Sequence, residues 1–130
     1  MKQVILVVDD DPDIRRVLEA VLSREYRVVT ASEGRHALAA FKKCKPDLTM
    51  LDIALPDMDG LDVLKALLKS DPKAVVVMLS GNQELAVARQ AMKLGACDYI
   101  SKPYAAEHVR DVIAERLRPS VQGPGGAAAR

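Results

Sequence analysis

Five short apolar runs, separated by stretches of helical periodicity, are the feature that most narrows what this chain can fold into. The runs are Val4-Ile5-Leu6-Val7-Val8, Val28-Val29, Leu48-Thr49-Met50-Leu51, Ala74 to Leu79, and Tyr99-Ile100. The first and fourth are continuous and rich in β-branched residues, which suits strands buried on both faces of a parallel sheet. Between them, Ile14, Val17, Leu18, Val21 and Leu22 follow the i, i+3, i+4, i+7, i+8 stripe of an amphipathic helix. Asp11 is placed to cap that helix, with Pro12 at its first position. Ser32 is expected to cap a second helix carrying Ala37, Leu38 and Phe41. A third presents Leu61, Leu64, Leu67 and Leu68 and ends before Asp71-Pro72. A fourth carries Leu85, Ala88 and Met92 and stops at Gly95, a residue suited to a left-handed C-cap. The fifth presents Val109, Val112, Ile113 and Leu117, with Pro119 as its stop. Strands alternating with helices predict right-handed crossovers, and so an α/β fold with a parallel sheet covered on both faces.

Composition agrees with that architecture and removes several function classes. The 130 residues suit one domain, 49% hydrophobic residues are enough for a core, and 3% aromatics make that core aliphatic. Nineteen basic against 18 acidic residues give a formal charge of +1, which pulls strongly on neither nucleic acid nor an anionic membrane. Cys44 and Cys97 are too few for a disulfide scaffold or a zinc site, and are read as packing residues. Met1-Lys2-Gln3 runs straight into strand-like sequence without a secretory pattern, and no apolar run approaches the roughly 20 residues needed to span a bilayer. A cytoplasmic location is expected. From Pro119 the composition changes to Gly, Ala and Pro with little to bury, so residues 1–118 are expected to form the domain and 119–130 a flexible tail or linker remnant.

The polar residues that follow the strands form a pattern. All C-terminal ends of a parallel sheet share one edge, where ligands bind at the topological switch point. Strand one ends at Asp9-Asp10, strand three at Asp52, strand four at Ser80 and strand five at Lys102. Strand two ends at Thr30-Ala31-Ser32, without a comparable ionisable group, and would lie outside the cluster in the order 2-1-3-4-5. Three gathered carboxylates repel one another, and a hard divalent cation relieves the conflict. Mg²⁺ prefers oxygen ligands and usually takes one or two carboxylates plus phosphate oxygens. Asp10 and Asp52 are candidate direct ligands, Asp9 a ligand directly or through water, and the Ala54 backbone carbonyl a further oxygen. Asp52, fixed at the end of a central strand, is the candidate nucleophile for an aspartyl phosphate. Lys102 would neutralise, and Ser80 hydrogen-bond, the transferred group.

These residues closely resemble the receiver domains of bacterial two-component response regulators. The matching stretches are Val7-Val8-Asp9-Asp10-Asp11, Leu51 to Gly60, Met78-Leu79-Ser80-Gly81, and Gly95 to Pro103, and the likeness covers about residues 3 to 117. The resemblance implies a flavodoxin-like (βα)5 sandwich with a doubly wound five-stranded sheet. It implies phosphorylation of Asp52 by the phosphohistidine of a sensor histidine kinase or histidine phosphotransfer protein, with slow self-catalysed hydrolysis. Ser80, Gly81 and Lys102 would bind the phosphoryl group. Ser80 would swing toward it while Tyr99 turns inward, changing the surface of helix four, strand five and helix five that contacts an output domain, a downstream protein or a second protomer. Neither direct nucleic-acid binding nor membrane binding by this domain is implied. A cis bond before Pro103 is also implied. Ala54 and Asn82 occupy the variable sites two residues beyond Asp52 and Ser80, associated with phosphoryl lifetime, and Ala105 stands where a capping side chain would serve the last helix better.

Blander roles compete at several positions. Asp11, Asp57 and Asp59 read as turn and capping residues, and Gly60 as a residue easing the turn into helix three. His36 and His108 fall on polar helix faces, and Lys42-Lys43 and Arg116-Leu117-Arg118 read as solvated helix ends. Two other functions fit some of the pattern. One is a Mg²⁺-dependent phosphohydrolase with an aspartyl intermediate, disfavoured because Ala54 stands where such enzymes commonly carry a second acid. The other is a pseudo-receiver, an interaction module never phosphorylated, disfavoured by the complete set Asp9, Asp10, Asp52, Ser80 and Lys102.

Overall fold

Each apolar run becomes a strand because helices cover it from both sides. The computed structural model describes residues 2–81 and 85–117. The elements are β1 (Val4–Val8), α1 (Pro12–Leu22), β2 (Arg27–Ala31), α2 (Gly34–Cys44), β3 (Leu48–Asp52), α3 (Gly60–Ser70), β4 (Val76–Ser80), α4 (Leu85–Leu94), β5 (Asp98–Ser101) and α5 (Ala106–Leu117). Among the described residues the strands form one parallel sheet in the order β2-β1-β3-β4-β5, the expected doubly wound topology. The chain starts at β1, winds outward to β2 and crosses back to β3, so the switch point lies between β1 and β3. Asn82, the stop at Pro119 and the tail 119–130 lie outside the described residues. No described helix is long and apolar enough to cross a membrane.

Strand pleating divides the core into two layers. Leu6, Val8, Leu51, Val76 and Met78 meet Ala37 and Phe41 of α2, Val63, Leu64 and Leu67 of α3, and Ala88 and Ala91 of α4. Ile5, Val7, Leu48, Met50, Val77, Leu79 and Ile100 meet Leu18 and Leu22 of α1 and Val109 and Ile113 of α5. Every residue of β3 and β4 is buried, which is why those runs do not alternate in polarity.

The helix ends follow the local chemistry in most places. Asp11 caps α1, accepting from the Asp13 amide at 2.9 Å with Pro12 beside it, and Asp59 caps α3 through the Leu61 amide at 2.8 Å. Gly95 follows α4 with φ +126°, and its amide bonds back to the Ala91 carbonyl. The Val109 amide bonds the Ala105 carbonyl, so α5 begins on a methyl side chain with no acceptor to offer.

Four expectations are corrected. Ser32 does not cap α2: Glu33 occupies the N-cap position without a side-chain cap, and Asp57 supplies the acceptor from another loop. The inward face of α4 is Ala88 and Ala91, while Leu85 and Met92 are each 38% exposed. Two alanines let the helix lie close to the sheet, which turns the larger side chains outward. Val17 lies on the α1 stripe but is 54% exposed. The fourth strand also starts later than its apolar run, at Val76, because Ala74 still bonds back to the Asp71 carbonyl in the preceding turn.

Candidate functional site

Register brings the strand ends level. Val8 pairs with Leu51, Asp52 with Leu79, and Ser80 with Ser101. The residues just beyond β1 and β5 therefore arrive beside Asp52 on one edge of the sheet. Asp9 leaves β1 with its amide still bonded to the Ala31 carbonyl at 3.1 Å. Its carboxylate then turns inward: Oδ1 accepts from the Asp11 amide at 2.9 Å, and Arg15 holds the Asp9 carbonyl at 2.7 Å. Asp52 Oδ1 accepts from the Ala54 amide at 3.1 Å. Lys102 is anchored by its own amide, which donates to the Ser80 carbonyl at 2.6 Å, and a cis bond to Pro103 follows, as expected.

Lys102 Nζ then stands between two buried acids, 3.0 Å from Asp9 Oδ2 and 3.1 Å from Asp52 Oδ2. The Asp52 contact is an aligned hydrogen bond, whereas Asp9 Oδ2, fully buried, keeps no aligned donor among the described residues. Asp10 is exposed, yet carboxylate oxygens of Asp9, Asp10 and Asp52 all fall within 4.8 Å of one another. The three acids expected at the metal are brought together with Lys102.

Burial, followed by the neighbouring Asp9 charge, pushes the Asp52 carboxyl up to about 6, and Lys102 and the Ala54 amide only partly offset this. Burial works against the Lys102 ammonium, but Asp52 and Asp9 outweigh it and raise its pKa above the usual value. The site therefore holds more negative charge than one ammonium can settle. An all-oxygen donor set, a buried oxygen lacking an aligned donor and this excess charge fit a small divalent cation such as Mg²⁺.

Ser80 is fully buried at the end of β4, and its hydroxyl has no hydrogen-bond partner among the described residues. Gly81 follows it at the rim of a recess of about 520 Å³ beside Lys102. Tyr99 is half-buried against the layer containing α2, α3 and α4. Ala54, one residue beyond Ile53, is exposed and bridges to Asp59 across the β3–α3 loop.

Sequence reasoning missed two residues here. Tyr104, directly after Pro103, has a buried hydroxyl without a partner among the described residues and lines the same recess with Ile14 and Val17. Burial, then the charge of Asp9, pushes its pKa to about 12. The available signal was its position, as one of only four aromatics in the chain and two residues from Lys102. Arg15 gave none, because its partner is a backbone carbonyl.

Comparison with known proteins agrees with the geometry. Residues 5–114 match the family model described as the response regulator receiver domain. Over 125 residues the chain is 41% identical to the transcriptional regulatory protein KdpE of Mycobacterium tuberculosis, covering 95% of this chain but only 53% of that protein. The chain thus spans about half the length of that relative. It is 34% identical to the chemotaxis protein CheY of Thermotoga maritima, covering 84% of this chain and 92% of the relative. The crystal structure of the receiver domain of NtrX from Brucella abortus superposes with a TM-score of 0.84 at 39% identity, covering 89% of this chain and 99% of that one. Fold, site geometry and matched family converge: the chain belongs to the response regulator receiver domains.

Proposed function

We propose that this domain is a phosphorelay switch that accepts a phosphoryl group on Asp52 from the phosphohistidine of a histidine kinase or phosphotransfer protein. The observation that carries the reading is the meeting of Asp9, Asp10 and Asp52 within 4.8 Å, with Lys102 bridging two of them.

An oxygen of the Asp52 carboxylate attacks phosphorus as the donor's N–P bond breaks, and the electron pair of that bond leaves with the imidazole. Burial holds the Asp52 side chain in one place, and the Ala54 amide steadies Oδ1. Lys102 neutralises charge on the incoming oxygens. The buried Ser80 hydroxyl donates to one of them, with Gly81 leaving the backbone close by. Asp9, Asp10, Asp52 and the Ala54 carbonyl would hold Mg²⁺, which would supply electrostatic stabilisation of the transferred group. Slow self-catalysed hydrolysis of the acyl phosphate, as the family resemblance implies, resets the switch, and the methyl of Ala54 can neither hold nor block the attacking water. The domain thus catalyses only its own phosphorylation and dephosphorylation.

Engagement of Ser80 draws Tyr99 inward and alters the surface formed by α4, β5 and α5, to which Leu85, Met92 and Leu94 contribute exposed apolar area. That surface controls an output domain, a downstream protein or a second copy of the chain. Residues 1–118 act as the receiver in the cytosol, with 119–130 as a tail or linker. The test is titration with beryllofluoride and Mg²⁺, followed by amide chemical shifts. Shifts around Asp52, Ser80 and Tyr99 that vanish in Asp52→Asn support the reading, whereas equal binding by the variant removes Asp52 as the acceptor.

A further inference from the structure

Helix α2 begins without the acceptor its first turn needs. Glu33 sits at the N-cap in extended conformation (φ −154°, ψ 167°) and makes no capping bond, so the first amides of the helix require an oxygen from elsewhere. Asp57, 23 residues away in the loop between β3 and α3, provides it: Oδ1 accepts from the Gly34 amide at 2.7 Å and Oδ2 from the Arg35 amide at 3.0 Å. Packing reinforces the joint. A Cβ at Gly34 would lie 2.7 Å from Met58 Sδ and 3.0 Å from Met58 Cβ, so the helix start and the Met58 side chain are in close contact.

The same loop is closed at its base. The Gly60 amide bonds the Ile53 carbonyl at 3.0 Å, and Ala54 bridges to Asp59. Ala54, at one end, reports directly to the site through its amide bond to Asp52. Two fixed points, one at the base and one at the tip on α2, therefore set where the Ala54 backbone lies.

We propose that Asp57 is a positioning residue for the metal-dependent step, fixing the loop that carries Ala54 by capping α2 from outside the helix. The inference rests on the proposed role of the Ala54 carbonyl at Mg²⁺. Linkage makes the coupling reciprocal: a cation that orders Ala54 tightens the cap, and loss of the cap weakens the cation site.

The test compares the wild-type full chain with Asp57→Ala, Asp57→Asn and the double variant Glu33→Asp/Asp57→Ala, which restores a local cap while leaving the loop untied. Mg²⁺ affinity is read from amide shifts, protection from hydrogen exchange at Gly34 and Arg35, and stability from urea unfolding. Work at 0.15 M salt screens the exposed Asp57 charge beyond about 8 Å. Asp57→Ala is expected to lose exchange protection at both amides and to bind Mg²⁺ about tenfold more weakly, the scale typical for lost outer-shell support. Asp57→Asn, retaining one acceptor oxygen, falls between. The double variant is expected to recover stability and protection but not Mg²⁺ affinity. Recovery of affinity along with stability would reduce Asp57 to a helix cap and overturn the proposal, as would unchanged affinity in Asp57→Ala. A wild-type chain that binds no Mg²⁺ overturns the parent reading and this one together; a wild-type chain that binds while the variants match it overturns this one alone.

Discussion

Replacing Asp52 with asparagine is expected to stabilise the fold in the absence of divalent cations while abolishing the function proposed for the site. Burial, then the Asp9 charge, pushes the Asp52 carboxyl up to about 6 in the folded chain, against an ordinary aspartate value of about 4. Between those limits the native state binds more protons than the unfolded chain, so its stability falls as pH rises. The neutral form contributes fully below pH about 4, and its benefit is gone above pH about 6. About two pKa units correspond to about 3 kcal/mol, and solvent at the open edge of the sheet screens this to about 1–2 kcal/mol. Asparagine keeps the shape of the neutral acid at every pH. In urea unfolding followed by far-ultraviolet circular dichroism, suitable because the chain has no tryptophan, Asp52→Asn should exceed wild type by that margin at pH 7.5 with chelator present. The gap should close near pH 4. Millimolar Mg²⁺ should stabilise wild type more than the variant, since a ligand stabilises only the state that binds it. A variant less stable than wild type at pH 7.5 in chelator would mean that the Lys102 pairing outweighs burial and Asp9, and the charge-conflict argument would fail.

Lys102→Met removes the ammonium between Asp9 and Asp52; it should cost about 1–3 kcal/mol at pH 7 and raise the Asp52 midpoint above its wild-type value in a carboxyl NMR titration. Gly60→Ala should cost about 2–4 kcal/mol in urea unfolding, because the new Cβ would lie 2.5 Å from the Ile53 carbonyl oxygen and 2.6 Å from Ile53 Cα, backbone atoms that cannot swing aside. A loss below about 0.5 kcal/mol would show that the loop relaxes freely.

The parts of this fold legible in sequence are those where one local rule has no competitor. Val4–Val8 and the run through Leu79 declared buried strands because nothing polar interrupts them, and Asp11-Pro12 declared a helix start because cap and first residue are adjacent. Ser32 failed for the opposite reason. It is a good capping residue by type, but Asp57 reaches the same amides from 23 residues away, and no local pattern encodes that distance. On α4, leucine and methionine suggested one inward face, yet Ala88 and Ala91 are the residues that fit against the sheet. Helical periodicity locates an apolar stripe without saying which residue sizes the available gap admits. Tyr104 carries no motif signal, and its burial beside the site follows from how the chain packs after Pro103.

The site was more legible than the loops because parallel topology does the convergence. Once β1, β3 and β5 run the same way, acids after the first two and a lysine after the third must meet at one edge, whatever the helices do. The electrostatic sum then follows from type alone: three ionised carboxylates against one ammonium leave a formal charge of −2. Lys102 cannot discharge that by moving, since it already touches both buried acids. Burial, reinforced by the neighbouring Asp9 charge, raises the Asp52 carboxyl to about 6, and its neutral form is too weakly nucleophilic to attack phosphorus. A divalent cation cancels the same excess, and so favours the carboxylate that the transfer requires. The crowding of acids at this edge is thus what would favour a cation there, and the cation in turn would favour the ionised carboxylate.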